Sequence, residues 1–89
     1  MKFIIPTALR KHTGGASHVA VTGATVDDAL KQLIEFHPEL RSSLFDDSEN
    51  LVSFVNVFVN DRNIRDLDDE ATKLDQTDEI QLVPAIAGG

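Results

Sequence analysis

The sequence predicts a small α+β domain in which one main helix packs across a mixed sheet of four to five strands. Three features support this fold class: a β-branched run past the middle of the chain, a capped amphipathic segment before it, and a short alternating segment near the C-terminus. With 89 residues and 42% hydrophobic content, the chain has enough apolar surface for one core. We therefore expect one domain over residues 1–84, followed by a flexible Gly-Gly tail over residues 85–89.

The N-terminal segment predicts a β-hairpin. Residues 3–7 form its first strand, and Pro6 indicates an edge position or a bulge because proline cannot donate a ladder hydrogen bond. Residues 13–16, Thr-Gly-Gly-Ala, predict a turn. Residues 18–22 alternate between apolar and polar side chains, as the second strand of a hairpin does.

The main helix is predicted to begin after Thr25. This residue is a favourable N-cap, and Asp27 and Asp28 follow in the first turn, where the helix dipole stabilises carboxylates. Apolar positions then recur at helical spacing and give one stripe: Val26, Ala29, Leu30, Leu33, Ile34 and His37. Pro38 marks the end of the helix. A short packed turn is expected next, formed by Leu40, Leu44 and Phe45.

Residues 51–60 are the strongest predicted strand. Its β-branched positions share the face that we expect to meet the helix: Val55, Val57 and Val59. The opposite face carries Phe54, Asn56, Phe58 and Asn60. Two phenylalanines on that face are either a second buried layer or an exposed patch. We expect Phe54 and Phe58 to belong to an exposed patch that docks a partner.

The last part of the chain predicts a turn and two more strands. Residues 60–63 are a polar turn, and Ile64-Arg65 predicts a short return strand. Residues 79–83 form the last strand, entered through the polar residues 75–78. The expected element order is ββαβ(β)β, with the helix packed on the sheet.

Composition excludes several classes of protein. The absence of cysteine excludes a disulfide scaffold, a thiolate zinc site and a cysteine nucleophile. Eight Lys and Arg against fifteen Asp and Glu give a formal charge of −7, so we expect no nucleic-acid partner. The acidic runs at residues 46–49 and 66–70 are either solvated loops or surfaces that steer the domain toward a basic partner. With no signal peptide or apolar span visible, we expect a cytoplasmic protein without a membrane partner.

The residues capable of chemistry do not assemble into an enzyme pattern. His12, His18 and His37 fall on a turn, a strand and a helix without the spacing of metal ligands, so we expect no metal site. Gly14-Gly15 lacks the lysine and hydroxyl residue of a phosphate loop. Residues 66–69 lack the glycine and distal glutamate of a calcium loop. We therefore expect a protein that is not itself an enzyme and binds no cofactor.

The tail offers a different kind of chemistry. Residues 84–89 can extend about 17–20 Å, at roughly 3.3–3.6 Å per residue, and glycine passes through channels too narrow for other residues. A terminal carboxylate is an anion at neutral pH and a poor electrophile, so it must be activated, for example as an acyl adenylate made from ATP by another enzyme. A sulfur nucleophile would then leave a thiocarboxylate on Gly89. The alternative interpretation is that the two glycines are only a frayed terminus.

Four segments of the chain carry a resemblance to a known family. Residues 5–10 (Ile-Pro-Thr-Ala-Leu-Arg), 12–15 (His-Thr-Gly-Gly), 54–61 (Phe-Val-Asn-Val-Phe-Val-Asn-Asp) and 82–89 (Leu-Val-Pro-Ala-Ile-Ala-Gly-Gly) occur in that order. The chain resembles the ubiquitin-like sulfur carriers, which include the small subunit of molybdopterin synthase and the sulfur carrier of thiamine biosynthesis. Within this superfamily it looks most like the carrier of an actinobacterial cysteine-biosynthesis route.

The resemblance implies a β-grasp fold and a role for each residue of the tail. Gly89 would be the site of adenylation and of the thiocarboxylate, with ATP used by an activating enzyme related to ubiquitin E1. Gly88, Ala87 and Ile86 would thread the channel of a partner enzyme. Some carriers of this group have residues after the diglycine that are trimmed first, so the Gly-Gly end is either encoded as such or the product of processing.

The resemblance also implies partner enzymes. In the cysteine route, a pyridoxal-phosphate cysteine synthase makes an aminoacrylate from activated serine, and the thiocarboxylate attacks it. An S-to-N acyl shift leaves cysteine linked to Gly89, and a zinc peptidase of the JAMM type releases it. Sulfur transfer to molybdopterin or thiamine is the alternative pathway. A ubiquitin-like modifier that forms isopeptides through Gly89 is the alternative class, followed by a purely structural interaction domain.

Overall fold

The computed structural model describes residues 1–48, 50–52 and 55–84. Five strands lie within these ranges: β1 Lys2–Ile4, β2 His18–Ala20, β3 Val55–Val59, β4 Arg62–Asn63 and β5 Glu79–Pro84. The α-helices are α1 Val26–Phe36 and α2 Arg41–Leu44. Four short 3-10 turns connect these elements: Thr7–His12, Pro38–Leu40, Ile64–Asp66 and Asp69–Ala71. The predicted fold class is confirmed, because the strands form one mixed sheet with α1 as its main helix.

The order of the strands across the sheet is β2-β1-β5-β3-β4. Strand β1 pairs antiparallel with β2, which confirms the predicted hairpin, and parallel with β5, where Phe3 is level with Ile80. On its other side β5 pairs antiparallel with β3, where Leu82 is level with Val57. The last strand of the chain therefore occupies the centre of the sheet, with hydrogen-bonded neighbours on both sides.

Helix α1 forms where the sequence predicts it. The Thr25 hydroxyl accepts a hydrogen bond from the Asp28 amide at 3.2 Å, which is the expected N-cap. His37 is the C-cap, and its amide donates to the Leu33 carbonyl. The buried residues of the helix are Val26, Ala29, Leu30 and Leu33. They confirm most of the predicted stripe, while Ile34 is half-buried at its margin.

One core lies between α1 and the sheet. Its fully buried large side chains include Phe3, Ile5, Leu30, Leu33, Leu40, Leu44, Ile80 and Leu82. Burial of each such side chain stabilises the fold by about 1.5–3 kcal/mol. The turn predicted after α1 contributes to this core, because Leu40 and Leu44 are fully buried. Among the described residues, no helix is long and apolar enough to cross a membrane.

Strand β1 corrects the interpretation of Pro6. The strand ends at Ile4, and it lies between β2 and β5 instead of at an edge. The Ile5 amide still donates to the Ser17 carbonyl at 2.8 Å, but the ladder does not continue to Pro6. Proline thus terminates an interior strand here, since it has no amide hydrogen to extend the ladder.

The strand predicted over residues 51–60 is shorter in the structure. Leu51 forms an isolated antiparallel bridge with Phe45, and the Val52 amide donates to the Leu44 carbonyl at 2.9 Å. These residues therefore pair with the segment after α2 and not with β5. Strand β3 covers Val55–Val59, and residues 53 and 54 lie outside the described residues.

The return strand lies two residues earlier in the chain than the sequence predicted. Arg62 and Asn63 pair with β3, whereas Ile64–Asp66 is a 3-10 turn that buries Ile64. Asn60 and Asp61 have φ values of 49° and 70°, which is the left-handed conformation that two-residue hairpins require. The prediction of a strand at Ile64-Arg65 was wrong because this tight turn reverses the chain after two residues.

Gly23 provides a test of how closely the chain packs where it enters α1. Its φ is 144°, and a Cβ there would lie 2.8 Å from the Asp28 Cβ and 3.2 Å from the Ala29 nitrogen. Gly14 is the matched control, because its φ of 66° is also positive but no atom lies within 4 Å of the position that a Cβ would take.

We expect Gly23→Ala to lower the free energy of unfolding by about 3 kcal/mol or more, since strain and overlap add. Gly14→Ala should cost about 1–2 kcal/mol, the usual penalty of the left-handed region. Urea unfolding followed by circular dichroism would measure both. Equal losses for the two variants would contradict the close packing at Gly23.

Candidate functional site

The candidate site is the end of β5, from which the tail continues. Ile80 and Leu82 point into the core and are 0% and 1% exposed, so they anchor the strand. Val83 lies on the other face and is 37% exposed. Pro84 is the last described residue and is level with Val55 of β3. The tail therefore starts from a strand that is held on both sides and packed against the core.

Two other segments lie at the end of the sheet where β5 ends. Strand β3 begins there, at Val55. On the opposite side, Ile4 of β1 is level with Gln81, and the two strands run parallel. Counting three residues on from Ile4 gives Thr7, the first residue of the Thr7–His12 turn. Counting three residues on from Gln81 gives Pro84, the last residue of β5. The Thr7–His12 turn thus lies at the same end of the sheet as Pro84.

Hydrogen bonds hold the segment that follows β1 in place. The Arg10 Nε donates to the Ile5 carbonyl at 3.1 Å. Thr13 is 4% exposed, and its hydroxyl lies 2.8 Å from the Ala16 carbonyl oxygen and 3.1 Å from that of Arg10. Gly14 and Gly15 then complete the predicted turn with positive φ values. These contacts give the Pro6-Thr7 and Thr13-Gly14-Gly15 segments a structural role in the connection between β1 and β2.

The outer face of the sheet, opposite α1, carries a continuous row of side chains. The register places one residue of each strand on this row, in the order His18, Ile4, Gln81, Phe58 and Asn63. The neighbouring row places Asn56 level with Val83. The Asn63 side-chain Nδ2 donates to the Asn56 side-chain Oδ1 at 3.4 Å, which links the two rows at the β4 edge. Because side chains alternate along a strand, both rows face away from the core.

Three apolar side chains lie on this outer face near the tail: Ile4, Phe58 and Val83, named here the outer patch. Ile4 and Phe58 are half-buried, and Val83 is exposed. Phe58 lies on the predicted face, opposite Val57 and Val59, and is level with Gln81 on one side and Asn63 on the other. Its role in docking a partner stays a prediction.

The residues predicted to carry the chemistry are not among those described. Gly89, Gly88, Ala87 and Ile86 lie beyond Pro84, and Phe54 lies in the gap before β3. The structure fixes their point of attachment, and their proposed roles remain predictions. The same holds for the division into a domain over residues 1–84 and a tail over residues 85–89.

Sequence reasoning missed Ile4 and Val83. The alternation in β1 and β5 placed each of them on the face opposite the core, which was a usable signal. The sequence did not indicate that β1, β5 and β3 are neighbours in the sheet. This order places Ile4 and Val83 on the same part of the outer face as Phe58. Within the described ranges, no group of three or more His, Asp or Glu side chains is arranged to hold a metal ion.

Comparison with known proteins gives the family. The ThiS family model matches residues 3–89. The chain belongs to the ThiS family. The match extends through the four segments that suggested the ubiquitin-like sulfur carriers, and the five-stranded mixed sheet agrees with the β-grasp structures of related proteins.

Three relatives place this ThiS-family chain more closely. It is 37% identical to the sulfur carrier protein CysO of Mycobacterium tuberculosis, in an alignment of length 87 that covers 96% of this chain and 94% of the relative. It matches the crystal structure of the BexX/CysO complex from Amycolatopsis orientalis with a TM-score of 0.90 and 35% identity, covering 99% of this chain and 98% of the other. It is also 39% identical to small archaeal modifier protein 3 of Haloferax volcanii, over 74% of this chain and 71% of the relative.

Phe58 provides a test of the outer patch. We expect Phe58→Ala to lower the free energy of unfolding by about 1–2 kcal/mol, because the ring is half-buried and its removal opens no closed cavity. Phe3→Ala is the matched control, since Phe3 is 0% exposed and its truncation should cost about 3–5 kcal/mol. Chemical unfolding measures both variants. A loss at Phe58 as large as that at Phe3 would show a core residue instead of a docking residue.

Proposed function

We propose that this protein is a sulfur carrier whose Gly89 carboxylate is adenylated and converted to a thiocarboxylate, and that it donates this sulfur for cysteine biosynthesis. The observation that carries the proposal is the 37% identity to CysO, named a sulfur carrier protein, over nearly the whole of both chains. The family match includes Gly88 and Gly89, the residues on which the chemistry depends.

The proposed chemistry takes place in two steps at the Gly89 carbonyl carbon. A carboxylate oxygen attacks the α-phosphorus of ATP, and pyrophosphate leaves, which gives an acyl adenylate. A sulfide-equivalent nucleophile then attacks the acyl carbon, so a C–S bond forms while the C–O bond to AMP breaks. The activating enzyme binds ATP, and the carrier needs no cofactor of its own. Glycine suits this position because no Cβ crowds the carbon under attack.

The described residues support the delivery of such a carboxylate. Strand β5 is anchored by Ile80 and Leu82 in the core, and its last residue, Pro84, is paired with Val55 of β3, so the tail starts from a positioned strand. From Pro84, residues 84–89 can extend about 17–20 Å. This reach allows Gly89 to enter a buried active site while the domain stays at its mouth. Ala85, Ala87 and the two glycines require little channel width.

The proposed partners follow from the same route. An adenylating enzyme related to ubiquitin E1 would activate Gly89, a pyridoxal-phosphate cysteine synthase would pass the sulfur to a serine-derived acceptor, and a zinc peptidase of the JAMM type would release cysteine. A CysO relative has been crystallised in complex with BexX, so a protein of this fold forms complexes with other proteins. The outer patch, next to the tail, is the proposed contact surface for such enzymes.

One observation favours a second function. The 39% identity to a small archaeal modifier protein covers about three quarters of this chain, and a modifier would use the same activated Gly89 to form isopeptides with lysine side chains. Sulfur delivery to molybdopterin or thiamine precursors remains the alternative pathway for a carrier. Both alternatives share the adenylation step and differ in the nucleophile that follows it.

Removal of Gly88 and Gly89 tests the role of the tail. The two residues lie beyond the last described strand, so the truncated protein should unfold at the same urea concentration as the full chain. It should nevertheless give no thiocarboxylate with the activating enzyme, ATP and a sulfide source. Gly89→Ala should fold equally well and load more slowly, because a Cβ crowds the acyl carbon. Sulfur transfer by the truncated protein would overturn the proposed function.

Mass spectrometry of protein purified from its native cells separates carrier from modifier. A carrier should show the mass change of one oxygen replaced by sulfur at Gly89. A modifier should instead leave branched Gly-Gly remnants on the lysines of other proteins after tryptic digestion. Remnants without any thiocarboxylate would favour the second function.

The pathway is tested by mixing thiocarboxylated protein with the host's pyridoxal-phosphate cysteine synthase and activated serine. We expect the carrier to gain the mass of a cysteine residue at Gly89, and a JAMM-type peptidase to remove it. Sulfur delivery to a molybdopterin or thiazole precursor with no cysteinyl adduct would reject the cysteine route and leave the carrier mechanism standing.

A further inference from the structure

The charges of this chain are unevenly distributed along it. Residues 1–26 contain three of the eight Lys and Arg residues and none of the fifteen Asp and Glu residues, so their formal charge is +3 while the rest of the chain carries −10. Two of the three cations, Arg10 and Lys11, are consecutive in the Thr7–His12 turn, and His12 follows them. A protein that is strongly acidic overall thus carries a local basic segment.

The fold places this segment at the end of the sheet from which the tail leaves. Parallel pairing of β1 with β5 brings Thr7 and Pro84 to the same end of the sheet. The hydrogen bond between Ile5 and Ser17 keeps both ends of the segment between β1 and β2 at that end.

The opposite end of the sheet has mixed charge. Carboxylates lie there around the start of β5 and the end of β3, on Asp61, Asp75, Asp78 and Glu79. Two cations lie at the same end: Lys2, whose Nζ is 3.9 Å from a Glu79 carboxylate oxygen, and Arg62, which is level with Val59.

The basic segment is ordered and accessible. Arg10 is fixed by its hydrogen bond to Ile5, and Lys11 is exposed with no ion pair to any described residue. His12 Nδ1 lies 3.8 Å from a carboxylate oxygen of Glu39, an exposed side chain. Lys11 is thus the cation most available to a partner, and the backbone that carries it need not be ordered on binding.

We propose that the Thr7–His12 turn, through Lys11 and Arg10, docks against acidic residues that rim the active-site entrance of the enzyme that receives the tail. This inference rests on the proposed function and adds the chemistry of the partner surface. Attraction at the tail end would favour encounters in which the tail approaches first, which raises the association rate.

The reach of the tail decides which anion the turn meets. Gly89 lies up to about 17–20 Å from Pro84 when the tail is extended, whereas Thr7 lies at the same end of the sheet as Pro84. With the carboxylate at a buried nucleotide, the turn would remain at the entrance, too far from the phosphates to bind them. The net charge of −7 also disfavours nucleic acid as the occupant. Protein carboxylates at the entrance are the anions that remain.

Lys11→Glu and Lys73→Glu form a matched pair for the test. Both replace an exposed lysine and change the charge by the same amount. Lys73 differs in its position, because its backbone forms an isolated antiparallel β-bridge with Thr25, at the start of α1 and at the end of the domain away from Pro84. The measurement is kcat/KM for thiocarboxylate formation on each full-length variant, with the adenylating enzyme of the same organism, at low and at high salt. Urea unfolding checks that the variants are folded.

At low salt we expect Lys11→Glu to lower kcat/KM about tenfold and Lys73→Glu to change it by about twofold or less. High salt should remove most of this difference, because surface charges are then screened. Lys11→Arg should retain the wild-type value. Equal effects of the two charge reversals at low salt, in a wild-type protein that is loaded normally, would overturn this inference and leave the proposed function intact. A wild-type protein that is not loaded at all would overturn both.

Discussion

The pairing of the last strand in the centre of the sheet is the constraint on which the rest of this structure depends. Strand β5 completes ladders with β1 on one side and β3 on the other, so neither flank of the sheet can close without it. Ile80 and Leu82 add its share of the core. The five-stranded sheet is therefore incomplete without this strand. The tail continues from its end, where Pro84 is level with Val55 of β3.

The side chains of β5 alternate between the core and the outer face, so different residues of this strand stabilise the fold and face a partner. Ile80 and Leu82 face α1 and contribute to the free energy of folding, whereas Gln81 and Val83 belong to the outer face. A substitution on the outer face can alter a partner contact at small cost in stability. A one-residue shift in register would exchange the two sets, so the buried pair also fixes the position of the outer patch.

Local features of this fold could be predicted from the sequence, and features that depend on distant pairing could not. Thr25, the first-turn aspartates and Pro38 define α1 through contacts within a few residues, and the prediction was accurate there. The hairpin at Asn60-Asp61 was misplaced because both residues adopt positive φ, which their side chains permit but do not require. Leu51 was assigned to β3, yet it pairs with Phe45, a choice decided by competition between two β partners. The site followed the same division: the tail was readable from residues 82–89, while its neighbours required the order of the strands.

If the Thr7–His12 turn meets acidic residues of a partner, as proposed, the parallel pairing of β1 with β5 explains how a domain with a net negative charge can approach them. Coulomb attraction between exposed groups extends over about one Debye length, roughly 8 Å at physiological salt, so the charges nearest the tail count for more than the net charge of the chain. The pairing sets these nearby charges, since it brings the segment after β1 to the end of β5. Net charge calculated from composition would predict repulsion, whereas the topology places Arg10 and Lys11 where attraction is required. Under the proposed function, in which several enzymes receive the terminus in turn, a local and salt-sensitive contact of this kind would guide encounter without slowing release.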